Sequence, residues 1–364
     1  MKIALVHDSL VNKGGAEKVF QVFCEIFITA NIYTTLYLPQ STYPAFKNKN
    51  ITTTFLQKIL SSEKQLKMLF PLANVLLRMI DIGDVDIVLS SSTFSGKYIK
   101  KKNAKHICYC HSPFRLLWMP ESYKFNKVSK ILLHNWNPLF NLLRKSDYNA
   151  AQKVDQFIAN SELTKKRILK YYGRDSIVIP PPIDIEKFRE GTKTSEYYLV
   201  VSRLERYKKV DLVIRVFNQL NLPLLIVGKG MLEHEYRCMA KSNIKFLGDI
   251  SNSELVRIYQ GSIAIIFPQE EDFGLVPLEA NACGKPVICY GYGGVETTMI
   301  PYDKSNNSSA TALFFYEQTE KALTDAIKLF DKFNYDKQIL INNAMRFDKP
   351  IFKQKILKVI ESVL

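Results

Sequence analysis

Long apolar runs are missing from this chain. No stretch of its 364 residues offers about 20 consecutive apolar side chains, the length a membrane-crossing helix requires, so no such helix is expected. The opening segment, Met1 to Leu10, is not expected to be a secretory leader, because its apolar run is short and His7 and Asp8 interrupt it. Cysteine is scarce. Six residues without a framework spacing exclude a small disulfide-stapled scaffold and fit a reducing compartment. Internal repeats and low-complexity tracts are lacking, which excludes a collagen-like or disordered chain. Acidic residues are outnumbered, 35 against 50 Lys and Arg, and the net charge of +15 points to an anionic partner. Nearly all of that excess lies in the first 190 residues, and charge alone does not choose among nucleic acid, an anionic membrane and a phosphorylated substrate.

What is present is apolar material for sizeable cores, 47% of a length that suggests two domains. The first half opens with a strand at Ile3 to Val6, a turn at Asn12-Lys13-Gly14-Gly15, and a helix with Val19, Phe20, Phe23 and Ile26 at helical spacing. Further strands are expected at Ile87–Ser90, Ile107–Tyr109, Gln156–Ala159 and Ile177–Ile179, and Ser161 is expected to cap a helix that ends at Gly173. Pro180-Pro181-Pro182 breaks the pattern and opens a polar linker reaching Glu196. The second half repeats the grammar, with strands at Tyr198–Val201, Leu224–Val227, Ile244–Leu247, Ile263–Phe267 and Pro286–Cys289. The reading is therefore α/β: two doubly wound, Rossmann-like domains, 1–185 and 190–349, facing a central cleft, with a final helix over about 350–364.

Several residues are placed for chemistry. Glu270-Glu271-Asp272 follows a strand and enters a helix at Gly274-Leu275-Val276. Backbone amides there suit a phosphate, and Glu271 and Glu279 suit sugar hydroxyls; equally, the acids complement the helix dipole. Arg203 and Lys208 flank a strand-to-helix turn after Ser202, where two cations hold a diphosphate or form a solvated basic turn. Gly14-Gly15 and Gly293-Gly294 permit close approach of a phosphate, or are tight turns. His106, Cys108 and Cys110 share one strand face, but their spacing is narrower than that of zinc ligand pairs and they read as core. His111 stands just past that strand's end, followed by Ser112-Pro113-Phe114-Arg115. Asp84-Val85-Asp86 precedes a strand and reads as an entry turn. The basic and apolar segment from Lys47 to Arg78, and the run Lys97, Lys100, Lys101, Lys102 and Lys105, suit an anionic membrane surface or a solvated face.

Together these motifs resemble glycosyltransferase family 4, whose members share the GT-B fold. The resemblance rests on Glu271 to Glu279 in the frame Glu-Asp-Phe-Gly-Leu, on the Arg203…Lys208 spacing, on Gly14-Gly15-Ala16-Glu17, on His111, on Asn160-Ser161-Glu162 and on Pro181-Pro182-Ile183-Asp184. Cys108 to Arg115 and Pro268 to Pro286 are most similar to bacterial mannosyltransferases of O-antigen and related polysaccharide assembly. One departure is Lys208-Lys209, where Lys-Gly is usual.

The resemblance implies a retaining, metal-independent transfer without a cofactor. A nucleotide-sugar, GDP-mannose by preference, would be the donor, and a lipid-linked or polysaccharide glycan the acceptor. It implies catalytic roles for His111, Arg203, Lys208 and Glu271. It implies donor contacts from Gly14, Gly15, Ser202, Arg203, Lys208, Glu271, Phe273, Gly274, Leu275, Val276 and Glu279, with Glu279 on the ribose and the final helix crossing back to the first domain. With the basic first half, it implies a cytoplasmic enzyme held peripherally on the inner face of a bacterial membrane. UDP- or dTDP-sugar donors and a nucleotide-sugar epimerase are the alternatives. A nucleic-acid-binding protein is a remote one, since no nucleic-acid motif is present and no nucleic-acid partner is expected.

Overall fold

The computed structural model describes residues 1–120, 137–188, 196–303, 309–330, 333 and 335–364. The chain divides into two compact units, Met1–Pro181 with Phe352–Leu364, and Pro182–Ile351. Among the described residues, the first unit holds a seven-stranded sheet of β1 (Ile3–His7), β2 (Asn31–Thr34), β3 (Ile51–Thr53), β4 (Ile87–Ser92), β5 (Lys105–Cys110), β6 (Gln156–Ala159) and β7 (Ser176–Val178), in the order β3-β2-β1-β4-β5-β6-β7. Every pair is parallel. Parallel strands are covered on both faces, which is why β1 and the first half of β4 read as continuous apolar runs.

Helix α1 (Gly15–Ile26) starts where the Glu17 side chain reaches back to the Gly14 amide, and its buried face is Val19, Phe20 and Phe23. Two short helices, α2 (Glu63–Met68) and α3 (Phe70–Leu77), follow β3. Helix α4 (Glu162–Tyr172) is capped by the Ser161 hydroxyl accepting the Thr164 amide at 3.1 Å, and it stops at Gly173 in the left-handed region, φ 63°.

In the second unit, β8 (Tyr197–Val201), β9 (Leu224–Val227), β10 (Ile244–Gly248), β11 (Ser262–Phe267), β12 (Val287–Tyr290) and β13 (Ala312–Phe315) form a parallel sheet in the order β10-β9-β8-β11-β12-β13. The sheet begins after α5 (Ile185–Phe188). Helix α6 (Val210–Leu220) lays Val210, Val213, Ile214 and Phe217 on it, and α7 (Leu275–Ala282) follows β11. The last helix, α8 (Lys349–Val363), buries Phe352, Ile356, Val359 and Ile360 in the first unit's core, with Phe352 stacked on Phe23 at 5.8 Å. Each such side chain contributes about 2 kcal/mol on leaving water.

Two expectations need correction. The first domain ends at Pro181 rather than 185, and the polar linker is partly helical. Ile183, Ile185 and Phe188 are buried in the second unit's core beside Leu278 and Cys283, so α5 belongs there; 189–195 lie outside the described residues. The edge strand pair β2–β3 and the opposite edge β13 carry no strand signal in the sequence reading, because they are three or four residues long and lack a glycine turn into a helix.

Strand order reverses once in each sheet, between β1 and β4 and between β8 and β11. Open parallel sheets bind ligands outside the carboxyl ends of their strands at such a reversal.

Candidate active site

In the second unit the reversal is charged. Arg203 stands just past β8, its backbone clamped on both sides: the Ser202 amide donates to the Val227 carbonyl at 3.0 Å and the Leu204 amide to that of Lys229 at 3.0 Å. Gly228 and Gly230 permit that approach, since a Cβ would come 2.0 Å from the Ser202 oxygen and 2.3 Å from the Leu204 oxygen. The Arg203 guanidinium donates to the Tyr207 hydroxyl at 2.6 Å. Lys208 closes a turn over Arg206–Lys208, is 9% exposed, and pairs with the Glu271 carboxylate. The Gln269 amide donates to the same carboxylate oxygen at 3.1 Å.

Glu271 is held by glycines as well. The Gly294 amide donates to the Glu271 carbonyl at 2.7 Å, and a Cβ on Gly294 would sit 2.2 Å from the Phe273 Cα. Gly293-Gly294 thus serves close backbone packing that positions the Glu271–Phe273 loop. Gly274 adopts φ 84° and has no side chain with which to cap α7, so the amides of Leu275 and Val276 stand at a helix N-terminus, a position suited to an anion. The Phe273 ring is core, edge-on to Phe347 at 5.6 Å, which leaves its backbone for ligand contact. Glu279 is buried in α7 and accepts from the Tyr259 hydroxyl at 2.9 Å. Burial and that carboxylate push the Tyr259 phenol well above its ordinary range.

In the first unit the reversal is a row of polar side chains, hydrogen-bonded from His7 through Ser91 to His111. His111 follows β5, and its backbone is fixed by its own amide on the Ser92 carbonyl at 3.0 Å and by the Asn160 side chain on its carbonyl at 2.9 Å. Its Nε2 lies 2.8 Å from the Ser91 hydroxyl, which lies 3.1 Å from His7 Nδ1. His7 Nε2 is 3.8 Å from Glu17, whose other oxygen accepts the Gly14 amide at 3.0 Å. The Gly14-Gly15 turn and His111, far apart in sequence, are joined by this row. Gly14 stands close against it, as a Cβ there would meet Glu17 at 2.6 Å.

Beside it, Asp8 is buried and accepts from the Ser92 hydroxyl and from the amides of Phe94, Ser95 and Gly96 at 2.6–2.9 Å. Burial alone would raise its carboxyl, but His7 and the amides of Gly96, Thr93 and Phe94 hold it below the ordinary value. The sequence reading missed His7, Ser91, Tyr259 and Gln269; the one signal for the first pair is polar residues at the carboxyl ends of two buried strands.

Other candidates lie elsewhere. His106 is buried with Nε2 2.8 Å from the Ser90 hydroxyl, and burial, with the Lys101 charge, pushes its imidazole down to about 3. Cys108 and Cys110 pack with Phe157 and Tyr172 in a core. Asp86 sits at the amino end of β4, where it accepts the Lys2 amide at 2.6 Å. The basic run is not one surface. Lys97 is buried against Asp147 at 2.8 Å, Lys101 pairs with Asp155, and Lys102 pairs with Asp81 at 2.7 Å.

Two family profiles match. "Glycosyltransferase Family 4" covers residues 13–187 and "Glycosyl transferases group 1" covers 182–346. An alpha-1,3/1,6-mannosyltransferase ALG2 from Candida glabrata is 24% identical over 75% of this chain and 70% of its own length. The D-rhamnosyltransferase WbpZ of Pseudomonas aeruginosa is 29% identical over 44% of this chain and 45% of its own. The chain spans 42% of a D-inositol 3-phosphate glycosyltransferase from Catenulispora acidiphila, at 27% identity over 40% of this chain. Among solved structures, Anabaena Alr3699/HepE in complex with UDP superposes with a TM-score of 0.71 at 17% identity, and the sucrose-phosphate synthase of Thermosynechococcus elongatus with 0.73 at 16%, covering 100% of this chain and 99–100% of theirs. With two Rossmann-like halves of the GT-B fold and profiles that together span residues 13–346, the chain belongs to glycosyltransferase family 4.

Proposed function

We propose that this glycosyltransferase moves mannose from GDP-mannose, with retention of configuration, to a lipid-linked or polysaccharide glycan acceptor in cell-surface glycan assembly. The observation that carries the reading is the Lys208–Glu271 pair at the β8/β11 reversal, beside Arg203 and the glycine-led start of α7. Lys208 and Arg203 take the donor diphosphate, the Gly274, Leu275 and Val276 amides add to its neutralisation, Glu279 takes the ribose, and Glu271 takes the sugar hydroxyls. In the transfer, the bond from the anomeric carbon to the diphosphate breaks through an oxocarbenium-like state. The acceptor oxygen bonds the same face, and its proton passes to the leaving phosphate oxygen. The two cations stabilise that leaving group, so the reading requires no metal ion or cofactor. The named activity of the Candida relative supports mannose.

The first unit takes the acceptor in this reading. Phe55, Ile59, Met68, Leu72, Val75 and Met79 are exposed around α2 and α3, and Phe70 at the start of α3 rests edge-on against Phe114, three residues past His111, at 5.0 Å. Such a run suits a lipid-linked substrate and a peripheral position on the cytoplasmic membrane face. In vesicle sedimentation, Phe55→Ser with Met68→Ser should reduce binding; unchanged binding removes the membrane from the reading.

The test of the donor is a thermal-shift panel with GDP, UDP, dTDP, CMP and NAD without added metal. A ligand at 100 times its Kd adds about 2.7 kcal/mol of stability. A shift with GDP supports the reading, a shift with UDP or dTDP alone changes the donor, and silence across the panel overturns the donor site.

A further inference from the structure

The Glu271 carboxylate has two donors of different kind on one oxygen. The Lys208 ammonium and the Gln269 side-chain amide both donate to Oε1, and neither donates to Oε2. Lys208 carries its charge on a flexible stem that turns readily toward another anion. Gln269 has no such freedom. It is 1% exposed, and it follows Pro268, whose ring fixes the backbone and whose carbonyl accepts the Gln318 amide at 2.8 Å.

Packing does not explain a glutamine at this place. Among the described residues, its Oε1 is buried without a hydrogen-bond partner, a cost that a methionine or leucine of like size would avoid. Turning the amide over would set its oxygen against the Glu271 oxygen, two acceptors face to face, so the nitrogen is the atom on Glu271. The chain therefore tolerates an orphan carbonyl oxygen and gains one fixed N–H on Glu271.

We infer that Gln269 is a positioning residue that holds Glu271 Oε1 while Lys208 passes to the donor diphosphate, so that Oε2 stays turned to the hydroxyls of the transferred sugar. Gln269 acts through Glu271 and meets no substrate itself. The inference rests on the roles proposed above for Lys208 and Glu271.

The test is Gln269→Met in the full chain. The thermal unfolding midpoint should hold or rise, since the orphan carbonyl is gone. GDP affinity by titration calorimetry should stay within about twofold of wild type, while kcat for transfer from GDP-mannose falls about tenfold. If the nucleotide panel selects UDP or dTDP, the same two measurements use that nucleotide and its sugar. The fall should vanish on a Glu271→Gln background, where the double variant should lie within about twofold of Glu271→Gln alone. Wild-type turnover in Gln269→Met, or independent losses in the double variant, overturns the inference. So does a Gln269→Met chain that unfolds, because the glutamine would then serve packing.

A second readout needs no donor. In NMR spectra of the full chain, the side-chain amide proton pair that is absent from Gln269→Met should exchange slowly in wild type and shift in Glu271→Ala. A pair unmoved by Glu271→Ala overturns the inference. A pair that does shift, in a chain that binds none of the panel nucleotides, defeats the proposed function and leaves the hold of Gln269 on Glu271 standing.

Discussion

At the reversal of the first sheet, a largely buried row runs from His7 through Ser91 to His111 by hydrogen bonds, with Glu17 3.8 Å from His7. At the reversal of the second, Arg203 is exposed, and Lys208, itself buried, pairs with the half-buried Glu271. The topology is the same and the chemistry is not. In the proposed function a leaving diphosphate needs positive charge that can change partner, which favours an exchangeable ion pair. Mutations in the first sheet's site are therefore expected to register in stability and orientation, and those in the second in rate.

The largest effect should come from Asp8→Ala in the first unit. It leaves the amides of Thr93, Phe94, Ser95 and Gly96 without their shared acceptor in the interior, a loss of about 3 kcal/mol or more. Denaturant unfolding measures it. The acid limb gives the sign: because the folded carboxyl lies below its ordinary value, its stabilisation is complete above the unfolded carboxyl pKa and is lost as pH falls through the folded one. The variant should lose that part of the acid dependence. Equal stability would show that the loop after β4 holds itself.

Next is Arg203→Ala, with an expected loss of about 10²-fold or more in transfer rate and little change in unfolding. A near wild-type rate would remove Arg203 from the proposed diphosphate site. Glu271→Gln separates binding from chemistry. It frees Lys208 from a competing carboxylate, so nucleoside diphosphate affinity should hold or rise while transfer falls about tenfold, about 1.4 kcal/mol. Titration calorimetry and initial rates check the two halves of that statement, and parallel losses in both would mean that Glu271 chiefly orients Lys208.

The second sheet's site was more legible in the sequence than the first's. Arg203 and Glu271 lie just past β8 and β11, Lys208 closes the turn before α6 and Glu279 lies within α7, with glycines or a helix start within a few positions, so local pattern marks them. Their supports, Tyr259 and Gln269, carry no such mark, since a tyrosine in a helix and a glutamine after a strand are ordinary. His7 and Ser91 are 84 positions apart and meet only because β1 pairs with β4 in the register His7 to Ser91. In the sequence His7 is an interruption in an apolar run and Ser91 one serine of three, and only strand order turns them into partners. The same limit explains Lys97, which stands among exposed-looking lysines but turns inward to Asp147.

The smallest effect concerns the position where glycine is usual. Lys209 adopts φ 56°, ψ 28°, a left-handed conformation that costs a residue with a Cβ about 1 kcal/mol. Lys209→Gly removes that strain but loosens the unfolded chain by about 0.5–1 kcal/mol, so the net change should lie within about 0.5 kcal/mol of zero. Lys209→Ala keeps the strain and removes the charge. Equal donor affinity in wild type, Lys209→Gly and Lys209→Ala would show that Lys208 alone serves the diphosphate at this turn. Weaker binding in both variants would instead show that the second lysine contributes positive charge, and that this chain keeps a strained backbone in order to have it.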